Sequence, residues 1–255
     1  MNRFLDYPLV VFTVSFLTLW LSTFVGASVL RERRNLEHDV REDFGTILAS
    51  TLTLNALIIG FTFSMSMGRY EQRKNYEVAE ANAISTEFLR VDLLAAADAV
   101  HVRSLLKLYA DQRVLFYTER SEDMIRQINL RTAELQAELW SSSRQAAITV
   151  SGILGGLVID GMNQVIDSQG NTQASWWNRI PVSAWILMGA IAIICHLLVG
   201  YGTENIKAER ILMTVLPMVV STSFLLIADI DSPRSGIIRV VPQNLNELVV
   251  QFHTH

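Results

Sequence analysis

Cysteine and proline are scarce in this chain of 255 residues, and their positions exclude several classes of protein. Cys195 is the only cysteine, so the sequence offers neither a disulfide framework nor a metal cage built from cysteines. No proline occurs between residues 9 and 180. Because proline breaks helices, its absence permits very long ones.

Catalytic and nucleic-acid-binding patterns are missing as well. The chain has no recognisable nucleophile–base pattern, phosphate-binding loop or zinc-ligand spacing. The formal net charge of −4 argues against a nucleic-acid partner. We therefore predict a protein that is not an enzyme, carries no cofactor and binds no nucleic acid.

Charge is absent from four long stretches, and these dominate the composition. They cover about residues 8–30, 44–67, 181–201 and 211–228, in a chain that is 50% hydrophobic with a mean hydropathy of +0.29. About 20 apolar residues suffice for a helix to cross a bilayer. The first stretch is too long for a cleavable signal peptide and is followed by "RERR" at 31–34. The sequence predicts an all-α integral membrane protein with four transmembrane helices.

More than a hundred residues separate the second and third spans, and their pattern is helical. Apolar residues recur at steps of three and four from Val78 to Ala95, which predicts one buried stripe. Arg73 with Glu77, and Glu87 with Arg90, are expected on the polar side. Further helices are predicted over 100–117 and from 122 to about 167. We expect a soluble helical bundle between helices 2 and 3, and this domain layout: 1–67 (helices 1 and 2), 68–180 (cytoplasmic insert), 181–230 (helices 3 and 4) and 231–255 (C-terminal tail).

A glycine-rich segment in this insert is too short to be a fifth span. Its uncharged run covers 145–159, and glycines occupy positions 152, 155, 156 and 161. Glycines on one helix allow close approach of a neighbouring backbone. We interpret the segment as a helix that is buried in protein or lies along the membrane surface.

The second span carries many hydroxyl groups. Thr46, Ser50, Thr53, Ser64 and Gly68 share one helical stripe with Leu57 and Phe61, and a neighbouring stripe contains Thr51, Asn55, Thr62 and Ser66. A helix that only anchors the chain in lipid is not stabilised by a polar face. The stripes therefore indicate a water-lined pore, or hydroxyls that bond to their own backbone and to neighbouring helices.

Several stretches of the chain resemble a known family. Gly60-Phe61 is followed, nine residues after the glycine, by Arg69-Tyr70 and then by a basic pair, as at the end of the second helix of bestrophins. Three longer stretches resemble a bacterial family of unknown function that is labelled bestrophin-like: "RYEQRKNYEVAEANAISTEFLR", "NRIPVSAW" and "DIDSPRSGIIRV".

The resemblance implies a function and a set of site residues. Bestrophins are pentameric anion channels whose termini and insert are cytoplasmic. Their pore narrows at apolar side chains of the second helix, which correspond here to Thr53, Leu57 and Phe61. Such constrictions gate by dewetting. Ser50 and Ser64 would line the pore beside this neck, and a basic vestibule would concentrate anions at its cytoplasmic mouth. The vestibule residues are Arg69, Arg73 and Lys74.

Other polar residues offer weaker hypotheses. The acidic run that forms the bestrophin calcium clasp is missing, and Asp229 and Asp231 stand in its place as weak metal candidates or as partners in a turn or a salt bridge. His196 lies within the third span, where it is a structural imidazole or a proton-sensing group. His253 and His255 form a weak metal-like pair in a tail that we expect to be disordered.

Charge does not determine the orientation. Seven basic residues flank the membrane on the side of the termini and six on the other, so the positive-inside rule decides nothing. The resemblance implies an inner-membrane protein with a cytoplasmic insert and cytoplasmic termini. Our hypothesis is a homo-oligomeric channel, a pentamer by this resemblance, that conducts small inorganic anions across the lipid bilayer. The alternative is a non-conducting sensor or scaffold whose bundle docks a partner.

Overall fold

The computed structural model describes residues 6–30, 38–203 and 211–254, and within these ranges it contains helices and no strand. The predicted all-α fold is confirmed. Within the described ranges, four helices are long and apolar enough to cross a membrane, as predicted. The α-helices are α1 (Pro8–Val25), α2 (His38–Arg90), α3 (Ala96–Thr118), α4 (Glu122–Ile148), α5 (Gly152–Trp177), α6 (Val182–Gly202), α7 (Leu212–Asp231) and α8 (Gln243–Thr254).

The first of two compact units comprises Met1–Arg69 and Arg179–Ile238. Pro8 starts α1, at the position where its missing N–H costs no helical hydrogen bond. Helix α1 packs against α6 and α7, and the core contains Leu19, Met188 and Phe224. The first unit thus holds all four predicted spans, and α1 packs between two of them.

Close backbone contact explains two glycines in this unit. A Cβ atom at Gly200 of α6 would overlap the carbonyl oxygen of Thr23, and one at Gly26, just after α1, would overlap that of Leu197. Glycine permits this approach because it has no Cβ atom. Close packing matters for these helices because lipid supplies no hydrophobic drive for their association. The crossing of α1 and α6 therefore depends on both glycines.

The second unit comprises Tyr70–Asn178 and Arg239–His255. It contains the charged end of α2, helices α3 to α5 and α8, packed around one hydrophobic core. Ser121 caps α4 by accepting a hydrogen bond from the backbone N–H of Met124, and Glu122 and Asp123 lie in the first turn, where the helix dipole favours negative charge. Local sequence thus accounts for the start of α4.

The charged end of α2 buries residues that we expected on its polar side. Arg73, Glu77 and Glu87, which we expected there, are fully buried within the second unit, and so is Glu80, whereas Ala95 of the predicted apolar stripe is exposed. The prediction was wrong because each of these buried positions also follows the three- and four-residue period. Their partners lie far away in sequence, so the pattern did not reveal them.

Two further predictions were wrong. The helix expected from 122 to about 167 is interrupted at Thr149–Ser151, which separates α4 from α5. The C-terminal end is not disordered, because α8 buries Leu245, Leu248 and Phe252 in the second unit. His255 lies outside the described residues.

Only some glycines of the glycine-rich segment make the close contacts that we expected of them. A Cβ at Gly155 would press on the backbone of Ala147, and one at Gly161 would overlap the carboxylate of Glu87. Gly152 and Gly156 face open space, and Ile153 beside them is 81% exposed. The start of α5 is therefore packed along one face only.

Candidate functional site

The apolar part of α2 has an outward face and an inward face. Thr53, Leu57 and Phe61 lie on the outward face, where Leu57 is 51% and Phe61 66% exposed. Ser50 and Ser64 lie on the same face and are exposed too. All five proposed neck and pore-lining residues thus share one exposed surface of the single chain.

The neighbouring polar stripe points the other way. Asn55, Thr62 and Ser66 are buried, and the Ser66 hydroxyl lies 3.4 Å from the carbonyl oxygen of Ile227 on α7, to which it donates. Between the two faces, α2 and α7 border an apolar groove of about 590 Å³ that includes Asn55 and Phe63. The two predicted hydroxyl stripes therefore have different surroundings, and the inward one packs within the chain.

Two hydroxyls of the outward face, those of Ser50 and Thr53, bond to their own helix. Ser50 donates to the carbonyl oxygen of Thr46 and Thr53 to that of Ala49, both at 2.8 Å. Thr62 on the inward face makes the same bond to Ile58 at 2.8 Å. Such bonds to the preceding turn satisfy a hydroxyl within an apolar environment. The structural alternative for these hydroxyls therefore has direct geometric support.

The three basic residues proposed for the vestibule have different environments. Arg73 is only 1% exposed, and its Nε donates to the carbonyl oxygen of Ser175 at 3.4 Å. This contradicts its assignment to an open vestibule. Arg69 is mostly buried at 4.0 Å from the carboxylate of Asp231, and Lys74 is exposed.

The two aspartates that end α7 organise the chain around them. Asp229 accepts hydrogen bonds from the backbone N–H groups of Ile237 at 2.7 Å and Ile238 at 2.8 Å. Asp231 accepts one from the N–H of Ile180 at 3.1 Å and lies 3.4 Å from Nε of Arg179. Both carboxylates thus hold the segments that flank α6 and α7.

A calcium ion, the weak alternative that the sequence left open for Asp229 and Asp231, does not fit these residues. The two carboxylates are buried and already bound to backbone amides and arginine, and calcium requires six to eight oxygen ligands. Within the described ranges, no group of three or more acidic, histidine or cysteine side chains could hold a metal ion.

His196 and His253 each contact an oxygen atom of a nearby residue. His196 is fully buried, and its Nδ1 lies 2.7 Å from the carbonyl oxygen of Ala192 one turn earlier. A neutral ring must donate from Nδ1 to make this bond. Nε2 of His253 lies 3.4 Å from a carboxylate oxygen of Asp111 at the surface. The first contact is typical of a structural imidazole, one of the two interpretations of His196.

A buried ion pair in the second unit was not evident from the sequence. Glu80 and Arg113 are both completely buried and joined directly, and Glu80 also accepts hydrogen bonds from Tyr117 at 3.2 Å and Thr172 at 3.0 Å. Burial, the largest single effect, disfavours the charged form of Arg113, but Glu80 together with Tyr109 and Tyr117 outweighs it, so the pKa of the guanidinium is raised. Burial, reinforced by Glu80, also raises the pKa of Tyr109 above its ordinary value.

Comparison with solved structures supports the fold. A point variant of a bacterial bestrophin homolog from Klebsiella pneumoniae matches with a TM-score of 0.65 at 12% identity, over 96% of this chain and 99% of that one. A second point variant of this homolog has a TM-score of 0.65 at 14% identity, over 95% of this chain and 94% of the other. A structure described simply as a membrane protein has a TM-score of 0.64 at 12% identity, over 100% and 98% of the two chains.

Comparison with protein sequences assigns the family. No curated protein matches the sequence significantly. The Bestrophin-like domain family matches residues 10–245. This range includes the outward face of α2, the buried ion pair and the aspartates that end α7. The chain therefore belongs to the bestrophin-like family.

Proposed function

We propose that the chain assembles into a homo-oligomeric channel, a pentamer, that conducts small inorganic anions. The outward face of α2 lines the pore, with a neck at Thr53, Leu57 and Phe61. Membership of the bestrophin-like family and the likeness to bacterial bestrophin homologs support the oligomeric channel. The protein would lie in the cell inner membrane with its termini and helical insert in the cytoplasm.

The exposure of Leu57 and Phe61 beside hydroxyl groups is the observation that carries this proposal. Both large apolar side chains are more than half exposed on a face that they share with Ser50, Thr53 and Ser64. A lipid environment would favour the apolar side chains of this face but not its hydroxyls, and contact with other protein helices would favour the hydroxyls. A ring of such helices around an axis accommodates both, because a mixed face holds water except at its apolar constriction.

The hydrogen bonds of these hydroxyls limit how strongly this face could bind anions. The protons of Ser50 and Thr53 are directed to backbone carbonyls, so the pore surface presents oxygen lone pairs. An anion would bind there only if the hydroxyl rotated, so the attraction of anions rests on basic charge. Arg73 is buried and Arg69 lies near Asp231, which leaves Lys74 as the exposed base of the three.

Chloride flux into liposomes tests the neck. Phe61→Ala removes the largest outward side chain and lets water persist, so we expect a higher flux than in wild type. Phe63→Ala is the matched control, because Phe63 is half-buried and packs against the core of the first unit. It should lower the yield of assembled protein, at a cost of up to ~3–5 kcal/mol, without raising flux.

The comparison is made at equal oligomer content, measured by native mass spectrometry. Equal flux in all three proteins, or a rise only for Phe63→Ala, would remove Phe61 from the neck. Zero flux in wild type and Phe61→Ala alike would favour the alternative of a non-conducting sensor or scaffold.

A further inference from the structure

Glu87 is an acid with unusual surroundings in the second unit. It is completely buried, and within the described residues neither of its carboxylate oxygens accepts a hydrogen bond. An ionised carboxylate in such a place would cost far more than a neutral acid. Glu87 lies 20 residues after Met67, the end of the apolar stretch of α2.

Helix α5 packs directly against the Glu87 side chain at Gly161. A Cβ at Gly161 would overlap the Glu87 carboxylate and would lie 2.7 Å from Nη1 of Arg90. Glycine is therefore required at this position for α5 to approach α2. Any swelling or hydration around Glu87 must push α5 away.

The same junction contains a polar link between the two helices. Nη1 of Arg90 lies 3.4 Å from a carboxylate oxygen of Asp160 and 3.3 Å from the carbonyl oxygen of Leu157, both on α5. Arg90 is also three residues after Glu87, which is the spacing of a side-chain pair on one helix. The guanidinium thus has two competing sets of acceptors, one on α5 and one on its own helix.

We propose that Glu87 is a protonation-controlled latch between α2 and α5. The neutral acid lets α5 pack at Gly161 while Arg90 binds Asp160 and Leu157. When Glu87 releases its proton to solvent, its charge draws Arg90 away from α5 and brings water into the junction. Helix α5 then loses both its tight packing and its polar link to α2.

The electrostatics of the junction agree with this geometry. Burial raises the pKa of Glu87 from 4.5 to about 8; the charge of Arg90 opposes the rise and that of Asp160 adds to it. On the turn after α2, Asp92 is already paired with Arg103 of α3. Because the folded pKa lies above the unfolded value, the stability contributed by neutral Glu87 is complete below about pH 4.5 and is lost as the pH rises to about 8.

Spin labels on the two helices test the latch. Cysteines replace Asn82 of α2 and Asn163 of α5, which are both exposed, in the full-length chain with Cys195→Ala. Double electron–electron resonance then measures their separation from about pH 6 to about pH 9.5, a window that brackets the pKa of Glu87, with labelled protein diluted in unlabelled protein to isolate distances within one chain. We expect the distance distribution to broaden or lengthen with a midpoint near pH 8.

Three variants distinguish the latch from general alkaline unfolding. Glu87→Gln should keep the narrow distribution throughout this pH range, because the amide has the shape of the neutral acid and cannot ionise. Glu71→Gln removes an exposed acid of the same helix and should keep the wild-type transition. Gly161→Ala should give the broad distribution already at the acidic end of the range. A wild type without a transition, or the same transition in Glu87→Gln, would overturn the proposal.

Discussion

At the scale of the residue, the buried pair of Glu80 and Arg113 gives the sharpest prediction of stability. Both side chains are completely buried, so removing one leaves the other charge without its main compensation. We expect Glu80→Ala to destabilise the folded state by ~3–5 kcal/mol, measured by thermal or denaturant unfolding in detergent. The double variant Glu80→Leu/Arg113→Met should recover much of this loss, because a hydrophobic pair of similar volume can replace a buried ion pair.

An exposed ion pair in the same unit is the control for that measurement. Arg126 and Asp123 pair on the surface of α4 and are each more than 70% exposed. Arg126→Ala should cost no more than ~1 kcal/mol, because solvent screens such pairs. A loss of this size for Glu80→Ala as well would contradict the importance that we assign to the buried pair.

At the scale of the element, α8 depends on a cap from another helix. Glu77 of α2 accepts hydrogen bonds from the backbone N–H of Leu245 at 3.0 Å and from the side chain of Asn244 at 2.7 Å, in the first turn of α8. Phe252 then stacks on Phe88, with ring centroids 4.0 Å apart. The helix is thus held at its start by the carboxylate and near its end by aromatic packing.

Removing this cap should loosen α8 more than the rest of the second unit. A lost cap costs ~0.5–2 kcal/mol, so Glu77→Ala should speed hydrogen exchange in 243–254 severalfold, measured by mass spectrometry. Glu71→Ala, which removes an exposed acid from α2, should leave these peptides unchanged. Uniform acceleration throughout the second unit would mean that Glu77 supports the whole bundle and not α8 in particular.

At the scale of the whole molecule, the orientation in the membrane is open to a direct test. Leu130 of α4 is 67% exposed, and the native Cys195 is buried. A Leu130→Cys variant should resist an impermeant thiol reagent in intact cells and react after permeabilisation, because we propose a cytoplasmic insert. Ile211, 77% exposed just before α7, lies at the opposite end of the spans, so Ile211→Cys should react in intact cells. The reverse labelling would invert the proposed topology.

The sequence alone determined the fold class and the approximate positions of the spans. Charge-free runs about as long as a bilayer is thick can be recognised without tertiary information, because each span must satisfy its own backbone in lipid. The outward face of α2 was also predictable as a stripe with helical spacing. Periodicity did not reveal which of the two hydroxyl stripes packs inward, since that depends on α7.

Tertiary structure alone decided where the charges of the second unit lie. Glu80 meets Arg113, Glu77 meets the start of α8, and Glu87 meets Gly161. Each buried carboxylate depends on a neighbour distant in the chain, and a helical wheel contains no information about that neighbour. A charge can be buried only where its surroundings compensate it or keep it neutral. For this reason the polar side of the charged end of α2, which we expected to face water, is part of the core.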